Sequence, residues 1–155
     1  MSSYLEKIGR IRAHLALEGA AGAVLSTPDN VFYATGFSSV MDGWHLVEPI
    51  AAVFVPTDAA SPVILILPEA SVISPIVSER GGHPVYFDRL ATFDMLNFCE
   101  TARAEDAHLA LPDDLLAELG DVMEQVEGQC EPDIIQTIAA SPSRHVAKGE
   151  RVLFD

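Results

Sequence analysis

Cysteine is almost absent from this chain, which has two thiols, Cys99 and Cys130. Two cysteines so far apart do not suggest a disulfide framework, and neither belongs to a C-x-x-C pair of the kind used by zinc and redox sites. Basic residues are also scarce. Nine Lys and Arg stand against 23 Asp and Glu, a formal charge of −14. From Glu105 to Asp133 there are ten acidic residues and no Lys or Arg. Such a surface repels phosphate backbones and anionic lipid, so nucleic acid and acidic membranes are not expected partners. The acidic run itself reads as a solvated face. Long apolar runs are missing as well. The longest, Ile50 to Pro56 and Pro62 to Pro68, are strand-sized and too short to span a bilayer. The start, Met1-Ser2-Ser3-Tyr4-Leu5-Glu6-Lys7, has no apolar signal core. A cytoplasmic location is the expectation.

The signatures of several reaction classes are missing too. The histidines are His14, His45, His83, His108 and His145, and none forms H-x-H, H-E-x-x-H or a Cys/His pair. There is no G-x-S-x-G elbow and no P-loop, and Gly19-Ala20-Ala21-Gly22 lacks the third glycine of a dinucleotide loop. No catalytic residue and no metal ligand is proposed from spacing.

What remains is a chain of 155 residues, about half of them apolar, which suits one folded domain with a sizeable core. Leu5, Ile8, Ile11 and Leu15 recur at helical spacing among charged neighbours, predicting an amphipathic helix over about 3–18 that stops at Gly19. Ala21 to Ser26 is a strand apolar on both faces, of the kind found inside a sheet covered on both sides. Ile50–Val55 and Val63–Leu67 predict an antiparallel hairpin around a Pro-, Asp- and Ser-bearing turn. Pro68-Glu69 reads as the opening of a helix to about Val77, and His83–Phe87 as a further strand after Gly81-Gly82. Thr92–Ala104 reads as a helix and His108–Leu111 as a strand. Pro112 opens a helix with the stripe Leu115, Leu116, Leu119, Val122, Met123 and Val126, and Cys130–Ile135 is either an edge strand or a helix start. Ser141-Pro142-Ser143 looks like a linker, after which the chain turns amphipathic and stops without a cap, as though cut from something longer. The expected fold class is α/β, a mixed β-sheet with helices on both faces.

Two segments stand out. Ser38 to Pro49 is a loop that gathers the only Trp, a His and two carboxylates: Asp42, Trp44, His45 and Glu48. Asp42, His45 and Glu48 are three apart and would meet only in a helix, which Gly43 opposes, so a ligand- or partner-contacting loop is the better reading than a metal or catalytic triad. The plainer alternative is a connector with Trp44 folded onto the core. The other segment is Ser26-Thr27-Pro28-Asp29-Asn30-Val31-Phe32-Tyr33-Ala34-Thr35-Gly36-Phe37. Ser26 or Thr27 suits a helix cap, Pro28 the first helical position and Asp29 the positive end of the helix dipole. Val31, Phe32 and Tyr33 are expected to contact the sheet, and Gly36 to end the turn in the left-handed region. None of these residues is a nucleophile or a base.

This segment, with Pro28, Asn30, Tyr33, Gly36 and Phe37 at the family's positions, together with the preceding helix and strand and the following hairpin, resembles the N-terminal domain of the creatinase/prolidase/Xaa-Pro aminopeptidase family (peptidase family M24). Arg144 and Lys148 before Glu150 faintly resemble the family's inter-domain junction. The resemblance implies a creatinase/prolidase N-terminal-like fold with a ribonuclease H-like motif over 1–140, followed over 141–155 by a linker and the start of a C-terminal metallohydrolase domain. It also implies a non-catalytic domain that helps form a homodimer, and whose loops, here with Trp44, His45, Glu48 and Asp42, cap an active site. Two divalent metal ions (Mn, Co or Zn) and a proline-containing peptide substrate would belong to the parent enzyme. The loop Ser38–Glu48 lacks the Arg that some relatives aim at a substrate carboxylate, which leaves substrate class open. The alternatives are a stand-alone dimerisation or interaction module of the same fold, the N-terminal domain of a creatinase- or sulfonium-lyase-type relative, and a small-ligand site at the strand ends.

Overall fold

The structure is a computed structural model that describes residues 2–39, 49–94 and 112–155. Helix α1 (Ser2–Leu17) is followed by strand β1 (Gly22–Leu25) and helix α2 (Pro28–Thr35). Strands β2 (Ala52–Pro56) and β3 (Ile64–Pro68) come next, then a 3-10 turn at Glu69–Ser71 and helix α3 (Ser74–Arg80). Strand β4 (Arg89–Phe93), helices α4 (Asp113–Met123) and α5 (Ile134–Ser143) and strand β5 (Val152–Phe154) complete the order. The strands lie in one sheet in the order β4-β3-β2-β1-β5. β2 is antiparallel to both neighbours, whereas β3–β4 and β1–β5 are parallel. This is the expected mixed α/β sheet, including the antiparallel hairpin.

The central strands are apolar at every position because both faces are covered. Val53, Val55, Leu65 and Leu67 point to one face, where Ile8 of α1, Val31 and Ala34 of α2, Phe37 and Val72 pack. The intervening Ala52, Phe54, Ile64 and Ile66 point to the other, against Ile134 and Ile138 of α5. Gly22 is the strand residue that a side chain could not replace. A Cβ there would lie 2.6 Å from the Phe54 ring, so the glycine makes room for the largest core side chain of the hairpin.

Several expectations shift. The helix placed at 68–77 is a 3-10 turn and then a helix from Ser74, since Pro75 suits the start of a helix better than its middle. The strand expected at His83–Phe87 is irregular, and the pairing begins later, at Arg89. Asp88 sets that register. Its carboxylate accepts from the Val63 amide at 2.8 Å, and its own amide donates to the Val63 carbonyl at 2.9 Å. Thr92 and Phe93, expected to open a helix, end β4 instead. The rest of that expected helix and the strand at 108–111 fall outside the described residues.

The helix expected after Pro112 is present, and its stripe is only partly used. Leu119, Val122 and Val126 pack on the core, while Leu116 and Met123 stay about half exposed. Cys130–Ile135 serves both suggested roles. Glu131 bridges to Phe93 on the outer edge of β4, and α5 starts at Ile134 behind the Asp133 cap. The linker-like Ser141-Pro142-Ser143 is the last turn of α5, with Ser141 and Pro142 buried. Pro142 is tolerated there because apolar burial of the helix against β2, β3 and β4 outweighs the lost backbone bond.

Candidate functional site

The carboxyl ends of β1 and β5 lie side by side, and α2 starts there. Crevices at the carboxyl ends of strands are where open α/β sheets present ligands. At this end β1 delivers Ser26 and Thr27, and β5 delivers Asp155. The Asp155 carboxylate accepts from the Ser26 amide at 2.7 Å and its hydroxyl at 2.9 Å, and from the Thr27 amide at 3.3 Å and its hydroxyl at 2.9 Å. Asn30 Nδ2 donates to it at 2.7 Å. Burial pushes the Asp155 carboxyl up, but these donors outweigh it and hold the group below its ordinary value of 3.8.

The expected local cap is therefore not made. Thr27 occupies the N-cap position of α2 without a side-chain cap bond, and the hydroxyls of Ser26 and Thr27 point to the distant carboxylate. The carboxylate lies instead near the positive end of the helix dipole, which favours a negative group there. Sequence reasoning missed Asp155, because a carboxylate that meets Asn30 from 125 residues away leaves no local pattern.

The other motif residues divide by role. Pro28 begins the helix and Gly36 ends it in the left-handed region at φ 78°, its amide bonding to the Phe32 carbonyl. Phe37 is buried in the core. Thr35 is also buried, with its hydroxyl donating to the Val31 carbonyl at 2.7 Å and accepting from the Phe37 amide at 3.0 Å. Of the three residues expected on the sheet, only Val31 is buried. Phe32 is 51% and Tyr33 39% exposed. A one-turn spacing cannot turn three consecutive residues inward. Tyr33 instead holds Lys7, whose ammonium lies 5.1 Å from its ring centre and 4.7 Å from that of Tyr4.

Beside this end a groove of about 400 Å³ runs between α1 and β5. Its floor is apolar, with Ile11, Leu15, Ala23 and Leu153. Arg10, His14, Tyr33 and Asp155 also line it and are exposed. A second polar cluster joins α5 to the segment along β4. Glu127 receives His145 Nε2 at 3.0 Å and an Arg144 nitrogen at 3.4 Å. This ties down His145. Asp42, Trp44, His45 and Glu48 lie outside the described residues. Among the described residues no three His, Cys, Asp or Glu side chains gather in a way that would hold a metal ion, so these residues do not fit a two-metal centre. No helix among them is long and apolar enough to cross a membrane.

No protein-family model and no curated protein matches the chain. Solved structures similar to it include Xaa-Pro aminopeptidases and prolidases. One is an Xaa-Pro aminopeptidase from Streptococcus thermophilus, 11% identical, covering 98% of this chain and 91% of the other, with a TM-score of 0.43. An Xaa-Pro aminopeptidase from Streptococcus pyogenes is 12% identical over 100% and 94% of the two chains, with a TM-score of 0.37. The creatinase/prolidase N-terminal domain of a Streptococcus pyogenes X-Pro dipeptidase is 18% identical over 79% and 92%, with a TM-score of 0.36.

Proposed function

We propose that this chain is a non-catalytic lid domain, the N-terminal part of an M24-type metallohydrolase that acts on Xaa-Pro peptides. The observation that carries the reading is the shape taken by Ser26–Phe37. It forms a turn at the carboxyl end of β1 whose residues hold Asp155, pack on the sheet and end α2, and none of which is placed to attack or to move a proton. In this reading the domain runs past 140, since 141–143 end α5 and 152–154 pair with β1, and it leads toward a C-terminal domain that holds two divalent metal ions (Mn, Co or Zn). The domain acts in the cytoplasm within a homodimer, and its loop with Asp42, Trp44, His45 and Glu48 caps the active site.

The purified 155-residue chain is expected to hydrolyse no Xaa-Pro dipeptide when Mn²⁺, Co²⁺ or Zn²⁺ is added. Metal-dependent turnover by this chain overturns the proposal. Trp44→Ala is expected to leave its thermal midpoint unchanged while lowering kcat/KM of the parent enzyme; a large loss of stability would make Trp44 a core residue instead. A stand-alone interaction module of the same fold is the second reading. It uses the same residues 141–155, as the end of α5 and as β5, without a metal-binding domain. The coding sequence after Asp155 separates the two, since an immediate stop codon favours the module.

A further inference from the structure

β5 is the shortest strand of the sheet. It has three residues, pairs with β1 alone, and leaves Phe154 65% exposed. Ordering each backbone residue costs about 1–2 kcal/mol, against which β5 sets only the half-buried Val152 and Leu153. Its ladder to β1 is flanked by two bonds, from the Ala21 amide to the Arg151 carbonyl at 2.8 Å and from the Asp155 amide to the Val24 carbonyl at 3.3 Å. Side-chain anchorage is concentrated at its carboxyl end, in the set of bonds that Asp155 accepts from Ser26, Thr27 and Asn30.

We propose that Ser26, Thr27 and Asn30 form a carboxylate receptor for Asp155, and that the pair is a latch deciding whether β5 is docked on β1. The donors come from two consecutive residues and from one three positions on, a set that leaves α2 without a side-chain cap of its own. Closed, the latch covers the outer edge of β1 and places Leu153 and Asp155 as a wall of the groove beside α1. Open, it bares the β1 edge and the small cluster of Leu15, Ala20 and Ala23, leaving the β1–β2–β3–β4 sheet intact. An unpaired edge of that kind accepts another strand.

Neutral donors meet the carboxylate. Arg10 and His14 line the same groove, but Arg10 is paired with Glu6 at 2.6 Å, and Tyr33 holds Lys7. Asp29 lies in the first turn of α2, and Arg151 donates to the Glu18 carbonyl. Protonating the carboxylate would turn one acceptor oxygen into a donor facing donors, so acid is expected to open the latch.

Amide exchange on the whole chain tests the latch, with rates corrected for intrinsic exchange at each pH. In Asp155→Asn the amides of residues 152–155 and the β1 amides paired with them are expected to exchange at least about tenfold faster, while those of 64–67 keep their wild-type rates. Asn30→Ala, which retains the other donors, is expected to fall between the two. In the wild type, β5 protection is expected to drop as the carboxylate is protonated, a step missing from Asp155→Asn. Unchanged β5 protection in both variants overturns the proposal. So does acceleration of 64–67 by the same factor, which would mean general loss of stability rather than a latch. The outcome does not depend on whether the chain is a lid domain.

Discussion

Gly36 shows what one residue contributes. Its φ of 78° is open to glycine at little cost, and a Cβ there would meet the Tyr4 ring and the Pro84 carbonyl. Gly36→Ala is expected to lower stability by about 2 kcal/mol or more in urea unfolding, with an unchanged m-value. The need for a left-handed residue was legible, because glycine follows the helical pattern directly. The close approach of Tyr4 was not, since it comes from a different helix. Ser141 is the opposite case. Its buried hydroxyl has no hydrogen-bond partner among the described residues, so burial costs it hydration with nothing gained. Ser141→Ala is expected to be neutral or to stabilise by up to about 1 kcal/mol in the same measurement. In sequence this serine looked like part of a linker. Its neighbour Pro142 suggested a break that tertiary packing overrides.

Between elements, burial ranks the contacts. Arg80 of α3 reaches Asp114 at 2.7 Å and Glu118 at 2.8 Å on α4, which draws the two helices together, yet all three side chains are exposed to solvent. Exposed pairs of this kind contribute little once screened. Arg80→Ala is therefore expected to leave the thermal midpoint nearly unchanged, and less changed still in high salt. Leu65 of β3 is fully buried in the core cluster it shares with Val53, Leu67 and Leu90, and Leu65→Ala is expected to cost about 2–5 kcal/mol in denaturant unfolding. β1, β2 and β3 were legible because continuous apolar runs of strand length leave few alternatives. β4 was not. Arg89-Leu90-Ala91-Thr92-Phe93 carries no stronger strand signal than His83–Phe87, and the Asp88–Val63 bonds decide between them.

For the molecule as a whole, two electrostatic effects oppose each other as pH falls. The excess of negative charge repels itself at neutral pH, and mild acid relieves that repulsion. Against this, Asp58, Asp114, Asp133 and Asp155 are held below their ordinary carboxyl value. The backbone bonds from Ala60 and Gln136 hold Asp58 and Asp133 down, and Arg80 holds Asp114; at Asp155 the donors prevail over burial. A carboxyl with a depressed folded-state pKa contributes stability above its unfolded value and loses it as pH falls through the folded one. The thermal midpoint is thus expected to rise from neutral pH into mild acid and to fall below about pH 4. Added salt is expected to raise the midpoint at neutral pH by screening the repulsion. A monotonic fall from pH 7 downward would show that repulsion is not the larger effect.

The sequence by itself determined the fold class, the sheet interior and the ends of α2. These follow from apolar period, strand length and the restricted backbone of proline and glycine, all of which act within a few residues. The tertiary structure alone decided that β4 starts after Asp88, that Ser141–Ser143 is helix and that Ser26, Thr27 and Asn30 hold Asp155. Each depends on a hydrogen bond or a buried contact between residues far apart in the chain. Such partners become neighbours only when the sheet has formed, so no local pattern announces them.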